Sequence, residues 1–400
     1  MSYKKTTIGA HCSVTSSKRF HASERTKDGV PFYCSKEIIQ KVKGEDVTEC
    51  DYISEDAYKS VKEKYGVPQV GDLLITTRGT YGVPYIYKDY DKFYFADGNL
   101  TWLKDFDDEL DVEYLYYWIN SYEGQKKIDA IAKGTAQKAV PIATLKQIEI
   151  EIPDISTQKK VVCILKAYDE LIENNQKQIK LLEEAAQRLY KEWFVDLRFP
   201  GYEGTEIVDG LPIEWRKGVL GDIAIDSGIR EKKENRIQYE YYLPIDCLPK
   251  KSFAYTETNA IDLAESSLVA FKENDILFGA MRPYFHKIVF ARDKGLTRST
   301  CFVINAKQEE FWAYLLMLMF SDDTVNYATK ISVGTTMPYA RWKDMVDMPI
   351  IIPSKDISIK FLKIIMPITG KISKLSKQNI WLSEVRDRLL PKLMNGEIEV

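Results

Sequence analysis

The feature that most constrains this chain is that it repeats itself. Gly134-Thr135 precedes Pro153 by the same distance that separates Gly334-Thr335 from Pro353. Between them, Ile148, Ile150 and Ile152 answer Met348, Ile350 and Ile352, a period-two strand pattern in both copies. Upstream, Tyr114-Leu115 matches Tyr314-Leu315, and Trp102 matches Phe302. Downstream, Lys160, Ile164, Ile172, Lys177, Gln178, Leu182, Glu184, Arg188 and Leu189 all recur at the same offset. Nearer the start of each copy the offset drifts: Gly71-Asp72 answers Asn274-Asp275, and Ile8-Gly9 answers Leu220-Gly221. Each copy has a mixed strand-and-turn region followed by a long helical stretch. The reading is a mixed α/β chain with an internal pseudo-two-fold repeat. Its expected domains are residues 1–153, a helical stretch 154–198, a linker and second mixed domain 199–353, and a second helical stretch 354–400. Residues 199–215 (FPGYEGTEIVDGLPIEW), rich in glycine and proline, read as the linker.

The helical stretches have a heptad seam. In the first, the positions step through Val161, Leu165, Tyr168, Ile172, Asn175, Ile179, Leu182, Ala186, Leu189 and Trp193. In the second they step through Phe361, Ile365, Ile368, Ile372, Leu375, Asn379, Leu382, Arg386, Leu389 and Leu393. Two such seams in one chain, in matching register, predict an antiparallel coiled coil, as equivalent surfaces pack in a two-fold dimer. Pairing Asn175 with Asn379 puts Ile179 opposite Leu375 and Ile172 opposite Leu382, and the two amides are expected to meet and set the register. Pro367 and Gly370 should make the second helix kink or start late. A helix over about 157–195 would be roughly 57 Å long, enough to hold two like domains a fixed distance apart.

Composition narrows the function. Lysine and arginine number 56 against 59 acids, a net charge of −3, which argues against a uniformly basic nucleic-acid binder but not against a local basic surface. Six scattered cysteines and three histidines form no recognisable zinc spacing, so reduced thiols and no metal are expected. The start, MSYKKTTIGAHCSV, lacks an apolar signal core, and the richest apolar run, residues 311–320, is about half a membrane span and reads as a buried helix. A cytoplasmic protein is expected. No phosphate-cradling glycine motif, zinc-protease motif or nucleophile elbow is present. The densest acidic run, residues 105–113, reads as a solvated loop feeding a helix start. No catalytic residue is assigned.

What remains is a set of turns that mix cations with groups able to read base edges. In the first copy they carry Arg78 and Tyr81, then Lys133, Thr135, Gln137 and Lys138. In the second they carry Arg282 and Tyr284, Arg298, then Thr335, Thr336 and Arg341. Singly, each is more often an ordinary surface turn; matching turns in two copies favour duplex DNA as the partner.

The stretch 158–199, containing KKVVCILKAYDELIENNQKQIKLLEEAAQRLYKEWFVDLRF, resembles the central conserved region of specificity subunits of type I restriction–modification systems. So do LLPKLMNGEI at 389–398, the G-T…I-x-I-P segment closing each mixed domain, and the L-P-x-x-W opening of the second at 211–215. The resemblance covers the whole chain. It implies that each mixed region is a target recognition domain reading half of a bipartite DNA site. The two helical regions are implied to pack as a spacer, through Leu165, Ile172, Asn175, Ile179 and Leu182 on one helix and Ile372, Leu375, Asn379 and Leu382 on the other. It further implies docking of two methyltransferase subunits, with two restriction subunits completing the enzyme. S-adenosylmethionine, ATP and Mg²⁺ are then expected in those partners and no cofactor in this chain, which would be a non-catalytic part of a site-specific deoxyribonuclease and adenine-specific DNA methyltransferase. Two other readings stay open: a structural adapter that binds proteins, and a single-chain DNA-modifying enzyme with an unrecognised active site.

Overall fold

The structure is a computed structural model and describes residues 3–44, 46–134 and 138–400. The chain forms two compact units, one of Met1–Asp169 with Glu384–Val400, the other of Glu170–Ser383. Each unit therefore holds one mixed domain and a part of both long helices.

In the first unit, Lys4–Thr7 pairs antiparallel with Glu149–Ile152, and the alternation of that strand buries Ile150 and Ile152 while Glu149 and Glu151 face out. A four-stranded antiparallel sheet runs in the order Ser13–Thr15, Leu100–Lys104, Leu73–Thr76, Pro84–Ile86. A three-stranded sheet, Asp51–Ile53, Val30–Tyr33 and Tyr94–Phe95, has one parallel pair. Two consecutive helices, Val112–Asn120 and Tyr122–Ile131, cover the four-stranded sheet. The acidic run ends as a cap: the Asp111 carboxylate accepts from the Glu113 and Tyr114 amides and so starts the first of these helices.

The second unit repeats this order. Arg216–Val219 pairs antiparallel with Pro349–Ile352. Ala224–Asp226, Cys301–Ala306, Ile276–Gly279 and Ile288–Phe290 form the antiparallel sheet. Ile229–Glu231, Leu268–Phe271, Gly295–Arg298 and Tyr241–Tyr242 form the sheet with one parallel pair. Trp312–Phe320 and Asp322–Ile331 are the covering helices; all nine residues of the former are buried, as its unbroken apolar run requires.

The first long helix, Ile155–Tyr190, opens on Asp154, whose carboxylate accepts from the Thr157 amide at 3.1 Å and hydroxyl at 2.7 Å. It continues into a π-helical turn, Lys191–Val195. The second runs unbroken over Lys355–Met394. The expectation that the second helix would start late at Pro367 and Gly370 is corrected: the helix begins well before them and passes through both. Pro367 removes the donor for the Lys363 carbonyl, but both residues lie on the exposed face, where water can serve that carbonyl. On the opposite face Phe361, Ile365, Ile372 and Leu375 are buried at 0–3% exposure and hold the helix in place. Burial of this stripe outweighs one lost hydrogen bond, worth about 1 kcal/mol.

The helices are antiparallel and in the predicted register. In the first unit Asp169 meets Arg386 at 2.6 Å. In the second, Asn175 Nδ2 donates to Asn379 Oδ1 at 2.8 Å, and Asn379 Nδ2 donates to the Ile172 carbonyl at 3.4 Å. The partner number falls as the first rises. Both amides are buried, at 5% and 2% exposure, and Ile179, Ile372 and Leu375 lie in the same apolar cluster. Leu382 is buried, while Leu182 packs against that cluster from a half-buried position and Ile172 is also half-buried. Leu165, in the first unit, is fully buried beside Val161 in a cluster that includes Leu390 and Leu393.

Candidate nucleic-acid interface

In each unit the turn after the central strand of the four-stranded sheet lies beside the G-T turn that precedes the closing strand. In the first, Arg78 bridges to Ala139, which also bridges to Lys133, and the Val140 amide donates to the Thr77 carbonyl at 2.9 Å. In the second, Met281 bridges to Tyr339, which also bridges to Val333, and the Ala340 amide donates to the Ala280 carbonyl at 2.9 Å. A third turn joins from the neighbouring strand: the Thr77 amide donates to the Asn99 carbonyl at 2.7 Å, and the Ala280 amide to the Thr300 carbonyl at 2.9 Å. Three backbone segments thus converge in the same way twice.

The predicted side chains distribute unevenly over this frame. Arg78, Lys133 and Lys138 are exposed on the converging turns of the first unit. Tyr81 is half-buried and packs against the core there, so its ring is partly a structural contact. Thr135 and Gln137 lie outside the described residues. In the second unit Thr335 and Thr336 are exposed on the G-T turn, and Arg282 Nη2 donates to the Thr336 carbonyl at 3.3 Å. Tyr284 is 50% exposed on the short 3-10 turn Pro283–Phe285. Arg298 is exposed at the end of the strand that leads into the third turn, next to Ser299, whose carbonyl accepts from the Tyr339 hydroxyl at 3.0 Å. Arg341 is exposed at the start of a helical turn and is already engaged, its Nε donating to Asp344 at 2.6 Å.

Sequence reasoning missed the polar contacts that fix each domain to the helices. In the first unit, buried Gln158 uses its whole amide: Nε2 donates to the Glu109 and Pro153 carbonyls at 2.8 and 2.9 Å, and Oε1 accepts from the Asp111 amide at 2.9 Å. The Tyr117 hydroxyl donates to Asp169 at 2.6 Å, the same carboxylate that meets Arg386. In the second unit, Glu183 accepts from the Ser252 hydroxyl at 2.8 Å and the Phe253 amide at 2.6 Å. Burial pushes its carboxyl up to about 7 despite these donors. Arg292, also buried, lies 3.8 Å over the Tyr255 ring and donates to the Ser376 hydroxyl at 2.7 Å. Only Arg386 left a signal, as a charge at a seam position; Gln158, Glu183 and Arg292 acquire their roles from partners remote in the chain.

Among the described residues no three histidine, cysteine or acidic side chains gather as a metal site, and no helix is long and apolar enough to cross a membrane.

Residues 3–184 and 212–380 match the family described as type I restriction modification DNA specificity domain. The chain belongs to that family. It is 28% identical over 308 residues to the type I restriction enzyme MjaIX specificity subunit of Methanocaldococcus jannaschii, spanning 72% of this chain and 69% of that one. It is 21% identical over 355 residues to the type I restriction enzyme HindI specificity subunit of Haemophilus influenzae, spanning 72% and 77%. Its fold is similar to the crystal structure of the S subunit of a type I restriction–modification system from M. genitalium, with a TM-score of 0.60 at 18% identity over 98% of this chain and 96% of that one.

Proposed function

We propose that this chain is the sequence-reading subunit of a type I restriction–modification enzyme, each mixed domain reading one half of a bipartite duplex DNA site. The observation that carries this reading is the recurrence, in both units, of three converging turns with exposed cations and hydroxyls. Cations on such turns contact phosphates, while Arg and Thr can also read base edges. The long helices set the gap between half-sites and dock two methyltransferase subunits, with two restriction subunits completing the cytoplasmic assembly. The sequence has no cofactor-cradling motif, so S-adenosylmethionine, ATP and Mg²⁺ are assigned to those partners, and the chain is not a catalyst by itself.

Methylation mapping of DNA from cells carrying the whole system tests this. The expected result is one bipartite motif with two short specified halves and a fixed gap, lost when this chain is deleted. A continuous motif, or a motif that survives the deletion, would overturn the reading.

A further inference from the structure

The turn leaving the central strand is the same turn built from different residues in the two copies. In the first, the Thr76 amide donates to the Val83 carbonyl at 3.0 Å; in the second, the Gly279 amide donates to the Lys287 carbonyl at 2.8 Å. Thr77 and Ala280 are equivalent, since each donates to the third turn and accepts from the residue opening the next segment. Counting forward two residues, Gly79 answers Arg282. Counting back from the end of the turn, Gly82 answers His286. All four are left-handed, with φ of 73°, 80°, 52° and 52°.

Glycine takes that conformation without a steric penalty, and an arginine does not. His286 has a visible reason to be there. Its Nε2 lies 2.8 Å from the Phe320 carbonyl, tying the turn to the end of the covering helix. In the first copy Gln125 makes that tie, its Nε2 reaching the Gly82 and Ile119 carbonyls, both at 2.8 Å. Elsewhere, where Asn274 (φ 68°) answers Gly71 (φ 91°), the replacement is a residue that tolerates the left-handed region. Arg282 is neither glycine nor a short polar residue. Its backbone amide donates to the Pro338 carbonyl at 2.7 Å, but its side chain makes one long hydrogen bond, to the carbonyl of exposed Thr336, which water could serve, and no carboxylate pairs with it among the described residues. Leu197 and Lys251 are left-handed too, so strain alone does not single Arg282 out; strain together with an unpaired guanidinium, where the equivalent residue of the first copy is glycine, does.

We propose that Arg282 is a specificity-determining residue of the second domain, its guanidinium recognising a guanine on the major-groove edge of the half-site, with the exposed Tyr284 ring presented by the same turn. This rests on the reading of the mixed domains as DNA readers. An arginine on guanine is the commonest specific major-groove contact.

The test is R282G, which restores the residue the first copy uses. Methylation is mapped in cells carrying the chain with its methyltransferase partner, and thermal melting is measured on the purified chain. The expected result is a melting temperature no lower than that of the parent. The methylated motif should relax at one guanine position of one half-site, discrimination there falling roughly ten- to a hundredfold. The other half-site and the gap should be unchanged. An unchanged motif overturns the proposal. So does a uniform loss of methylation with the motif intact, which would mark a phosphate contact. A lowered melting temperature would make the residue a brace for the Thr336 turn and overturns it too. If the parent chain itself yields no bipartite motif, the reading of the domains as DNA readers falls first, and the proposal with it.

Discussion

Glu183 sits on a helix, yet its carboxyl titrates near 7 because the second domain covers it. Unfolded, it would titrate near 4.5. Between those values the native state keeps a proton that the unfolded chain has released. Its contribution is therefore fully present below about pH 4.5 and is lost as pH rises through about 7. A shift of that size is worth on the order of 3 kcal/mol. Glu183→Gln keeps an oxygen for Ser252 and Phe253 and removes the titration. Urea unfolding should find it close to the parent at pH 5 and more stable at pH 8; the same difference at both pH values would show that the carboxyl does not titrate in this window. Arg78 belongs to the same scale. It is exposed on the first unit's turns, so Arg78→Ala should leave melting unchanged. If its contact is to a base, competition binding by the assembled complex should show a loss of about 1–3 kcal/mol confined to one base position. A loss equal on all sequences would mark a phosphate contact.

At the scale of elements, the helix pair turns on two buried amides. Replacing one asparagine strands the other amide in an apolar seam, at about 1–3 kcal/mol; replacing both removes the mismatch. N175L and N379L should each lower the urea midpoint, and the double variant should lose much less than their sum. Strict additivity in that double-mutant cycle would show that the amides do not interact. The amide pair was legible in the sequence because a 3.5-residue period fixes which positions share a face, and each seam carried one asparagine. The path of the second helix through Pro367 was not, because local backbone rules say nothing about how firmly Phe361 and Ile365 are buried. The anchoring by Glu183 and Arg292 was not legible either, since Ser252 and Ser376 are remote in the chain. The converging turns were half legible. Their residue types stood out, but an arginine gives no sign in the sequence of the left-handed backbone that Arg282 shares with Gly79.

At the scale of the molecule, a net charge of −3 on 400 residues means that, on the proposed reading, duplex binding falls to local turns. The chain alone should bind duplex weakly, with affinity falling steeply between 50 and 200 mM salt as condensed ions are released. Fluorescence anisotropy checks this, and tight binding that ignores salt would contradict it. The repeat gives the amide pair one more consequence. Shifted by one copy, Asn175 becomes Leu375 and Asn379 becomes Ile179, so the mirror image of the polar contact is an apolar one. The two halves are thus keyed, like plug and socket, rather than interchangeable. Two first halves brought together would each set Asn175 against Ile179 and bury two unmatched amides. A recombinant that borrows its second half from a relative buries Asn175 without its partner unless the newcomer carries an amide where Asn379 stands. Exchanging halves between relatives would therefore be felt at this one pair of seam positions.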